Sequence, residues 1–341
     1  MTDLWSYLEK ADKPIVLYGT GDGADKIYEE LLKRSIKISG VFASDGFKKG
    51  KEFAGFTVTS YEELKNKLGE MVILVCFGSH LDSVINNIKS LAEDNELYLP
   101  DVPVCQGEVF DISFARKHRS ELERVYSLLA DEQSKLVFKN TVYFKLTGKL
   151  DYLIECESEK SESYGLLKLK GEHFLDLGAF NGDTIAEFVY YDKCYGSITA
   201  LEPDSRNFRK LTENTQFMEK VTLINAAVGD KEGSVFISKN KGRGNRQGGK
   251  TVEISSVCID NVAQKNPFTF INMDVEGSEA QAIDGGRAVI SQKPKMLVAA
   301  YHRSKDIFTL PLKILEINPD YKIYMRKHKA IPAWDINYIF I

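Results

Sequence analysis

The sequence lacks several features that would assign it at once to a class of protein. It has no apolar run of about 18 residues, so no membrane span is expected. Its formal net charge is −4, so it has no basic field of the kind that general nucleic-acid binders present. The first residues are charged and contain no apolar signal-peptide core, which favours a cytoplasmic protein.

Cysteine is scarce, and its spacing suggests no cross-linked framework. The five cysteines never form a CxxC pair, and three of them lie inside or beside apolar, strand-like runs. This pattern favours reduced packing residues over a disulfide framework or a cysteine metal site.

The length and composition predict a two-domain globular protein. The chain has 341 residues, more than one ordinary core accommodates, with 43% hydrophobic and 28% charged residues. A β-α pattern runs to about residue 110, gives way to a helical stretch over 112–150, and resumes near residue 167. We therefore predict a small Rossmann-like domain (1–110), a connector of two helices followed by an acidic loop (111–165), and a larger domain (166–341).

The larger domain has the pattern of a doubly wound α/β fold. Five strand-like runs alternate with helical segments, and two late strands, YKIYMRKH and INYIFI, end the chain. Parallel strands with crossover helices, closed by an antiparallel hairpin, are expected from this order. The fold class is therefore α/β, with a mostly parallel sheet in this domain and a smaller parallel sheet in the first.

A glycine turn follows the first strand of the small domain. Gly19, Gly21 and Ala24 satisfy GxGxxG/A, and Asp45 follows at about the distance of a ribose-binding acid. The apolar run before the turn carries no acid, so a phosphate could face the start of the next helix. The turn could equally serve only tight strand–helix packing. A nucleotide or nucleotide-sugar site here is one of the two interpretations.

The glycine turn of the larger domain, within HFLDLGAFNGDT, has a different chemistry. Asp176 ends its strand, Gly178 and Gly182 follow, and Asp183 and Thr184 open the helix. Carboxylates at these positions would repel a pyrophosphate. They suit a ligand that carries an ammonium group and a sulfonium. The residues therefore favour S-adenosylmethionine over NAD as the cofactor.

The next two strands extend the predicted cofactor site. Glu202 closes the second strand, where a carboxylate can accept both ribose hydroxyls. Asn225 and Ala226 follow the third strand, where an adenine edge would lie, although Asn225 could equally be a turn residue. An empty Rossmann-like scaffold is the alternative interpretation of the whole pattern.

Acids and a histidine follow the fourth and fifth strands. Asp274, Glu276 and Glu279 lie in INMDVEGSEAQ, and His302 ends VAAYH. Ligands of open α/β sheets bind outside the carboxyl ends of the strands, so we expect these groups to border the pocket. Glu279 could instead favour the first turn of the next helix by its charge.

We predict His302 as the general base that removes a proton from an acceptor hydroxyl, with Asp274 or Glu276 orienting it or the substrate. His302 could alternatively only hydrogen-bond a loop. His118 and His328 lie in basic runs and are predicted to face solvent. Asp274, Glu276 and Glu279 gather oxygens that could bind a metal. No metal is predicted, however, because Asp274 and Glu276 are two residues apart whereas Glu279 enters a helix, so their convergence does not follow from the sequence.

A cationic, glycine-rich segment, KNKGRGNRQGGK, separates two alternating strands. Arg243, Arg246 and Lys250 could close over an anionic acceptor such as a phosphorylated or nucleotide-linked sugar. The alternative is a solvated hairpin tip.

The segments FLDLGAFNGDT, ALEPDSRNFRKL, NAAVGDKEG, INMDVEGSE and AAYHRSKDI, in this order, resemble the FkbM-type methyltransferases over about 170–341. The resemblance implies a class I S-adenosylmethionine-dependent fold and O-methylation of a sugar or polyketide hydroxyl. It implies that Asp176, Gly178 and Glu202 hold the cofactor. It also implies that Asp274, Glu276 and His302 line the methyl-transfer end. The first domain more loosely resembles the small Rossmann-like domains that accompany sugar-modifying enzymes.

The leading interpretation is thus an S-adenosylmethionine-dependent O-methyltransferase. Its expected partner is a small-molecule acceptor, such as a sugar, nucleotide sugar or glycan precursor, and not a nucleic acid; a homodimer is left open. An NAD-dependent oxidoreductase or a nucleotide-sugar-modifying enzyme that uses the first glycine turn is one alternative. A non-catalytic nucleotide-binding scaffold is another.

Overall fold

The computed structural model describes residues 2–44, 52–238, 251–264 and 267–341. The strands of the first domain are β1 (Ile15–Tyr18), β2 (Gly40–Phe42), β3 (Glu52–Phe53), β4 (Phe56–Thr57), β5 (Val72–Val75) and β6 (Glu96–Tyr98). Its helices are α1 (Leu4–Leu8), α2 (Asp22–Lys33), α3 (Tyr61–Leu68) and α4 (Asp82–Asp94). Four of the strands form a parallel sheet in the order β2-β1-β5-β6, and β3 and β4 form a separate antiparallel pair.

The elements of this domain form for reasons that are visible in the sequence. Strands β1 and β5 are buried along their whole length, as expected for parallel strands covered on both faces. Helix α3 begins with the predicted capping box, in which Ser60 accepts the Glu63 N–H and Glu63 accepts the Ser60 N–H.

The connector contains four helices where the sequence predicts two. They are α5 (Ile112–Lys117), α6 (Arg119–Leu128), α7 (Glu132–Thr147) and α8 (Leu150–Glu155). The breaks have local causes. His118 leaves the helical conformation with φ −108° and ψ 22°, Asp131 caps the start of α7, and Gly148 ends it at φ 65°.

The acidic segment predicted as a loop contains a helix. The acidic segment is residues 156–165, and helix α9 (Lys160–Leu167) covers all of its second half, so the predicted loop is wrong there. Its buried side chains explain the difference. Tyr164 stacks on Tyr191 with ring centroids 3.9 Å apart, and Leu167 is also buried. Tertiary packing therefore stabilises a helix that its local composition does not predict.

The second domain is built on the predicted mostly parallel sheet. Its strands are β7 (His173–Leu177), β8 (Ser197–Leu201), β9 (Val221–Ile224), β10 (Ala227–Val228), β11 (Gly233–Ser238), β12 (Thr251–Val257), β13 (Phe270–Met273), β14 (Lys295–Ala299), β15 (Ile323–Lys327) and β16 (Ile336–Phe340). Its helices are α10 (Asp183–Tyr191), α11 (Ser205–Thr215), α12 (Ile259–Val262), α13 (Glu279–Asp284), α14 (Arg287–Ser291) and α15 (Asp306–Ile317).

The order in the large sheet is β15-β16-β14-β13-β7-β8-β9. The five strands from β14 to β9 run parallel, and β16 pairs antiparallel with both β14 and β15. The predicted doubly wound sheet with an antiparallel terminal hairpin is therefore confirmed. Its carboxyl edge brings together the loops that follow β7, β8, β13 and β14.

A smaller sheet, β10-β12-β11, lies after β9. Strands β11 and β12 pair antiparallel, as the alternation predicts. Arg243, Arg246 and Lys250 lie between them but outside the described residues, and so does Asp45 of the first domain.

One hydrophobic cluster contains buried side chains from both domains and from the connector. Ser79 and Ile331 exchange two backbone hydrogen bonds of 2.9 Å across the domain boundary. Arg326 on β15 is buried and donates to Asp131 at the start of α7. Within the described part of the chain, none of the helices is both long and apolar enough to cross a membrane.

Candidate active site

Asp176 lies at the centre of the carboxyl edge and is completely buried. One carboxylate oxygen accepts a 2.9 Å hydrogen bond from Asn272, its register partner on β13. The other oxygen has no hydrogen-bond partner. Burial raises the pKa of Asp176 to about 7, against the hydrogen bond from Asn272, and the charges of the neighbouring acids raise it further. An unpartnered buried carboxylate among other acids is suited to a cationic ligand.

The glycine turn after β7 is pressed against the end of β13. Gly178 has φ 86°, and a Cβ atom there would overlap the carbonyl oxygen of Asp274. Its N–H and that of Ala179 both donate to Leu201 at the end of β8, at 3.0 and 2.9 Å. Gly182, at φ 90°, precedes α10. Glycine is therefore required at 178 by both conformation and space.

Asp183 and Thr184 open α10 beside this turn, as predicted. The Thr184 N–H donates to the side chain of Asp183 at 3.0 Å, and the Asp183 N–H lies 3.3 Å from the side-chain oxygen of Asn181. The Asp183 carboxylate is one of the charges that raise the pKa of Asp176. Asp176 and Asp183, the two predicted acids of the glycine turn, are therefore close enough for their charges to interact.

Glu202 and Asn225 shape the loops after β8 and β9. The two carboxylate oxygens of Glu202 accept the N–H groups of Phe180 and Asp204, at 2.9 and 2.7 Å. The side-chain amide of Asn225 donates to the backbone carbonyls of Glu202 and Pro203. Glu202 thus ties the glycine turn to the start of α11, and the Asn225 amide fixes the backbone at Glu202. Ala226 is buried beside them.

The acids after β13 and the histidine after β14 converge. We call Asp274, Glu276, Glu279 and His302 the His302 cluster. The imidazole Nδ1 lies 2.9 Å from Glu279 Oε1, and Nε2 lies 3.3 Å from Asp274 Oδ1 and 3.4 Å from Glu276 Oε2. Neither ring nitrogen makes a hydrogen bond of standard geometry.

His302 has no exposed surface, whereas the side chains of Asp274 and Glu276 are 41% and 79% exposed. Burial lowers the pKa of His302, but Glu279, Asp274 and Glu276 raise it by more, to about 9. The ring therefore lies behind the two exposed carboxylates rather than on the surface that an acceptor would contact.

Glu279 organises the turn that carries this cluster. Its Oε1 accepts the backbone N–H groups of Val275 and Gly277, at 3.1 and 3.2 Å, besides facing His302. The turn is conformationally unusual, with φ 51° at Glu276 and φ 88° at Gly277. A non-glycine residue held at positive φ is often found where a site dictates the backbone. Glu279 begins α13, where its charge favours the helix N-terminus, and it also fixes the preceding turn through these two hydrogen bonds.

Tyr301 was not among the predicted site residues, although it directly precedes His302 in the sequence. Its hydroxyl donates to Asp274, at 3.0 Å to Oδ2 and 3.3 Å to Oδ1. Burial raises the pKa of Asp274 to about 6, while His302 opposes the shift. An aromatic residue next to a strand-terminal histidine was the only signal in the sequence, and it does not reveal which carboxylate the hydroxyl reaches.

A segment between the first domain and the connector covers the turn after β13. The Cys105 N–H donates to the His302 carbonyl at 3.0 Å, and its thiol lies 3.0 Å from the Glu276 carbonyl. Arg303 donates to the carbonyls of Gly277 and Gln106, both at 2.9 Å. We call residues 104–106 the covering segment. Sequence reasoning missed it because the partners are far apart in the chain.

The glycine turn of the first domain has a clear packing role. Gly19 has φ 113°, and a Cβ atom at Gly23 would lie 2.5 Å from the Cys76 carbonyl oxygen. Gly21 precedes α2, and Ala24 is fully buried in it. Asp22 lies in the first turn of α2, where a carboxylate disfavours a phosphate. A nucleotide site here stays a prediction.

The sheet and its carboxyl-edge site define a class I methyltransferase fold. Residues 176–322 match the model of the methyltransferase FkbM domain family. This match supports S-adenosylmethionine as the cofactor, as the residues around Asp176 predict.

Comparison with solved structures agrees on the fold. An FkbM methyltransferase from Methylobacillus flagellatus is 23% identical, with a TM-score of 0.73 over 96% of this chain and 90% of its own. Aeropyrum pernix fibrillarin with natively bound S-adenosyl-L-methionine is 13% identical over 53% of this chain and 74% of its own, with a TM-score of 0.33. A precorrin-6y C5,15-methyltransferase from Geobacter metallireducens is 12% identical over 54% of this chain and 90% of its own, with a TM-score of 0.35. The last two scores are too low to support an inference. No curated protein sequence matches the chain.

Proposed function

We propose that the protein transfers a methyl group from S-adenosylmethionine to a hydroxyl group of a sugar or a related natural product. The observation that supports this proposal most directly is the completely buried carboxylate of Asp176 beside the Gly178 turn, one of whose oxygens has no hydrogen-bond partner. A pyrophosphate would meet repulsion there, whereas a cationic methyl donor would offset the cost of the buried carboxylate. The FkbM domain match supports the same class of reaction.

The residues of the glycine turn and of the next two loops would hold the cofactor. Asp176 and Asp183 supply negative charge near the cationic part, and Gly178 keeps the backbone clear of side chains. Glu202 stands at the position expected for a ribose contact, and the backbone near Asn225 and Ala226 would border the adenine. Each assignment uses a loop that the structure places on the carboxyl edge of the same sheet.

The acceptor end of the site would be the His302 cluster. When bound, S-adenosylmethionine supplies an electrophilic methyl carbon. The acceptor oxygen bonds to that carbon, the sulfur–carbon electron pair stays on sulfur, and the acceptor proton passes to an exposed carboxylate, Asp274 or Glu276. His302, predicted as the base, lies behind them with no exposed surface, so we assign it the positioning of these carboxylates. The close contact between Gly178 and Asp274 joins the cofactor and acceptor ends.

Methyl transfer can be tested without knowing the natural acceptor. The full-length protein is incubated with S-adenosylmethionine and a panel of hydroxylated acceptors, namely free sugars, sugar phosphates and nucleotide sugars. Formation of S-adenosylhomocysteine is measured together with a mass gain of one methylene unit on the acceptor. We expect turnover with at least one member and loss of turnover in Asp274→Asn.

A product methylated on nitrogen, or a hydride transferred from NADH to a sugar by the same protein, would contradict the proposal. Glu132→Gln serves as the matched control, because this side chain is 88% exposed at the start of α7 and belongs to neither end of the site.

A further inference from the structure

The contacts of the His302 ring differ from those of an ordinary buried ion pair. Charge-assisted hydrogen bonds between nitrogen and a carboxylate are typically about 2.7–2.9 Å long. The two carboxylate oxygens near Nε2 lie farther away, at 3.3 Å for Asp274 and 3.4 Å for Glu276. The ring is completely buried, yet neither nitrogen has a hydrogen bond of standard geometry. A buried polar group without a partner calls for a ligand or another explanation.

These distances match the spacing of donor atoms around a metal ion. Nitrogen and oxygen ligands lie about 2.0–2.2 Å from a small divalent cation. Two such donors at tetrahedral or octahedral angles are then roughly 3.0–3.4 Å apart. Nε2 of His302 has that separation from Asp274 Oδ1 and from Glu276 Oε2. Each of these two carboxylate oxygens is therefore spaced from Nε2 as two ligands of one ion would be, and Asp274, Glu279 and His302 each offer a ligand atom within 4.8 Å of the other two.

The other side of the imidazole has the environment of a metal-bound histidine. Nδ1 lies 2.9 Å from the buried carboxylate of Glu279, which would leave Nε2 as the coordinating nitrogen. Metal-bound histidines usually have a carboxylate or carbonyl beside the second ring nitrogen. Glu279 also fixes the turn that carries Glu276, through the N–H groups of Val275 and Gly277. One buried carboxylate thus orients two of the three donors.

We propose that His302 Nε2, Asp274 and Glu276 bind one divalent transition-metal cation, such as Mn²⁺, Fe²⁺ or Zn²⁺, with Glu279 as the outer partner of the imidazole. A mixed set of one imidazole and two carboxylates suits this class of ion. The exposed carboxylates leave the remaining coordination positions open on the solvent side.

The role of the ion rests on the proposed function. A cation at this position would bind the acceptor hydroxyl and lower its pKa, so that its proton leaves more readily to a carboxylate. The ion changes neither its charge nor its oxidation state in this step. It would also hold the acceptor oxygen next to the Gly178 turn, where the cofactor end of the site begins.

The test uses Mn²⁺ as the probe and binding as the readout, so it does not depend on turnover. Full-length protein is treated with a chelator, dialysed and titrated with Mn²⁺, and bound ions are counted by electron paramagnetic resonance. We expect one saturable site per chain, with nitrogen modulation from one imidazole in the spin-echo spectrum. Glu276→Gln should weaken binding at least tenfold, His302→Gln should abolish the nitrogen modulation, and Glu279→Gln should weaken binding about 10–100-fold. Glu132→Gln should leave binding unchanged.

The absence of a saturable site, or Mn²⁺ binding that survives both Glu276→Gln and His302→Gln, would overturn the proposal. Glu276 is 79% exposed, so its variant decides the matter even if His302→Gln does not fold. Calorimetry with S-adenosylhomocysteine on the same samples separates the two ideas. Cofactor binding without Mn²⁺ binding refutes the metal site alone, whereas Mn²⁺ binding without methyl transfer to any acceptor refutes the proposed function alone.

Discussion

At the scale of single residues, Asp176 combines two properties that are unfavourable together in the ligand-free protein. It is fully buried, and one of its oxygens has no partner. Burial raises its pKa to about 7, and the charges of Asp183 on α10, Asp274 after β13 and Glu202 after β8 raise it further. Such a residue costs stability in the empty protein and stabilises a complex with a cation.

The first prediction concerns Asp176→Asn. The folded-state pKa is raised above the unfolded value of about 3.9, so ionisation of Asp176 lowers the stability of the ligand-free protein as pH rises from about 4 to about 7. The variant cannot ionise, and its side-chain oxygen still accepts from Asn272. We expect it to be more stable than the wild type, with a gain about 2–3 kcal/mol larger at pH 8 than at pH 5. Urea unfolding at the two pH values measures this difference, and an equal or smaller gain at pH 8 would refute the assigned burial.

The second prediction concerns Gly178→Ala. The residue has φ 86°, and the new methyl group would overlap the carbonyl oxygen of Asp274. We expect a loss of at least about 2 kcal/mol in unfolding free energy, from backbone strain and displacement of the turn. Gly21→Ala is the control, because nothing lies within 4 Å of a Cβ there and its φ is −92°. Its cost should stay within about 1 kcal/mol, and equal losses in the two variants would contradict the close contact.

At the scale of elements, the sequence predicted the features that are determined by residues close together in the chain. The capping box of Ser60 and Glu63, the strand–turn–helix units and the terminal hairpin all follow from periodicity and cap chemistry. Helix α9 was not predicted, because Tyr164 is held by a distant partner, Tyr191. His328 was predicted to face solvent from its basic neighbours, but it is buried and contacts Ser163 and the Ser158 carbonyl, so that prediction is wrong.

The third prediction tests whether α9 is an integral part of the fold. Tyr164 is buried and stacked, so Tyr164→Ala should lower the unfolding free energy by about 3 kcal/mol. Phe217→Ala should be nearly neutral, because Phe217 is 91% exposed. Chemical denaturation of both variants gives the comparison. A loss of less than about 1 kcal/mol in the unfolding free energy of Tyr164→Ala would contradict the prediction, because it is what a residue in an exposed linker would show.

At the scale of the whole molecule, the candidate site is completed by a part of the chain that its own domain does not contain. Cys105 and Glu276 contact each other although they are 171 residues apart in sequence. The edge of a sheet can be inferred from strand order, which is why the sequence alone predicts that Asp176, Glu202, Asp274 and His302 lie at that edge. The covering segment depends on how the first domain packs on the second, and no local pattern encodes that.

The fourth prediction concerns Arg303, which links Gly277 to Gln106 of the covering segment. Arg303→Ala should release the turn that carries Glu276 without touching the cofactor end. We expect kcat for methyl transfer to fall roughly tenfold or more, with the Kd for S-adenosylhomocysteine within about twofold of the wild type. Arg287→Ala, on the exposed surface of α14, should change neither quantity. A parallel loss of cofactor affinity in Arg303→Ala would show that the segment supports the whole sheet edge instead.

The central claim is that the acids around the Gly178 turn select a cationic methyl donor over a dinucleotide. Isothermal calorimetry of the wild-type protein with S-adenosylhomocysteine, S-adenosylmethionine and NADH tests it most directly. We predict one site per chain for both sulfur ligands, tighter for S-adenosylmethionine in the wild type than in Asp176→Asn, and no binding of NADH that competes with them. NADH displacing S-adenosylmethionine from the same site, or sulfur ligands that do not bind at all, would contradict the account.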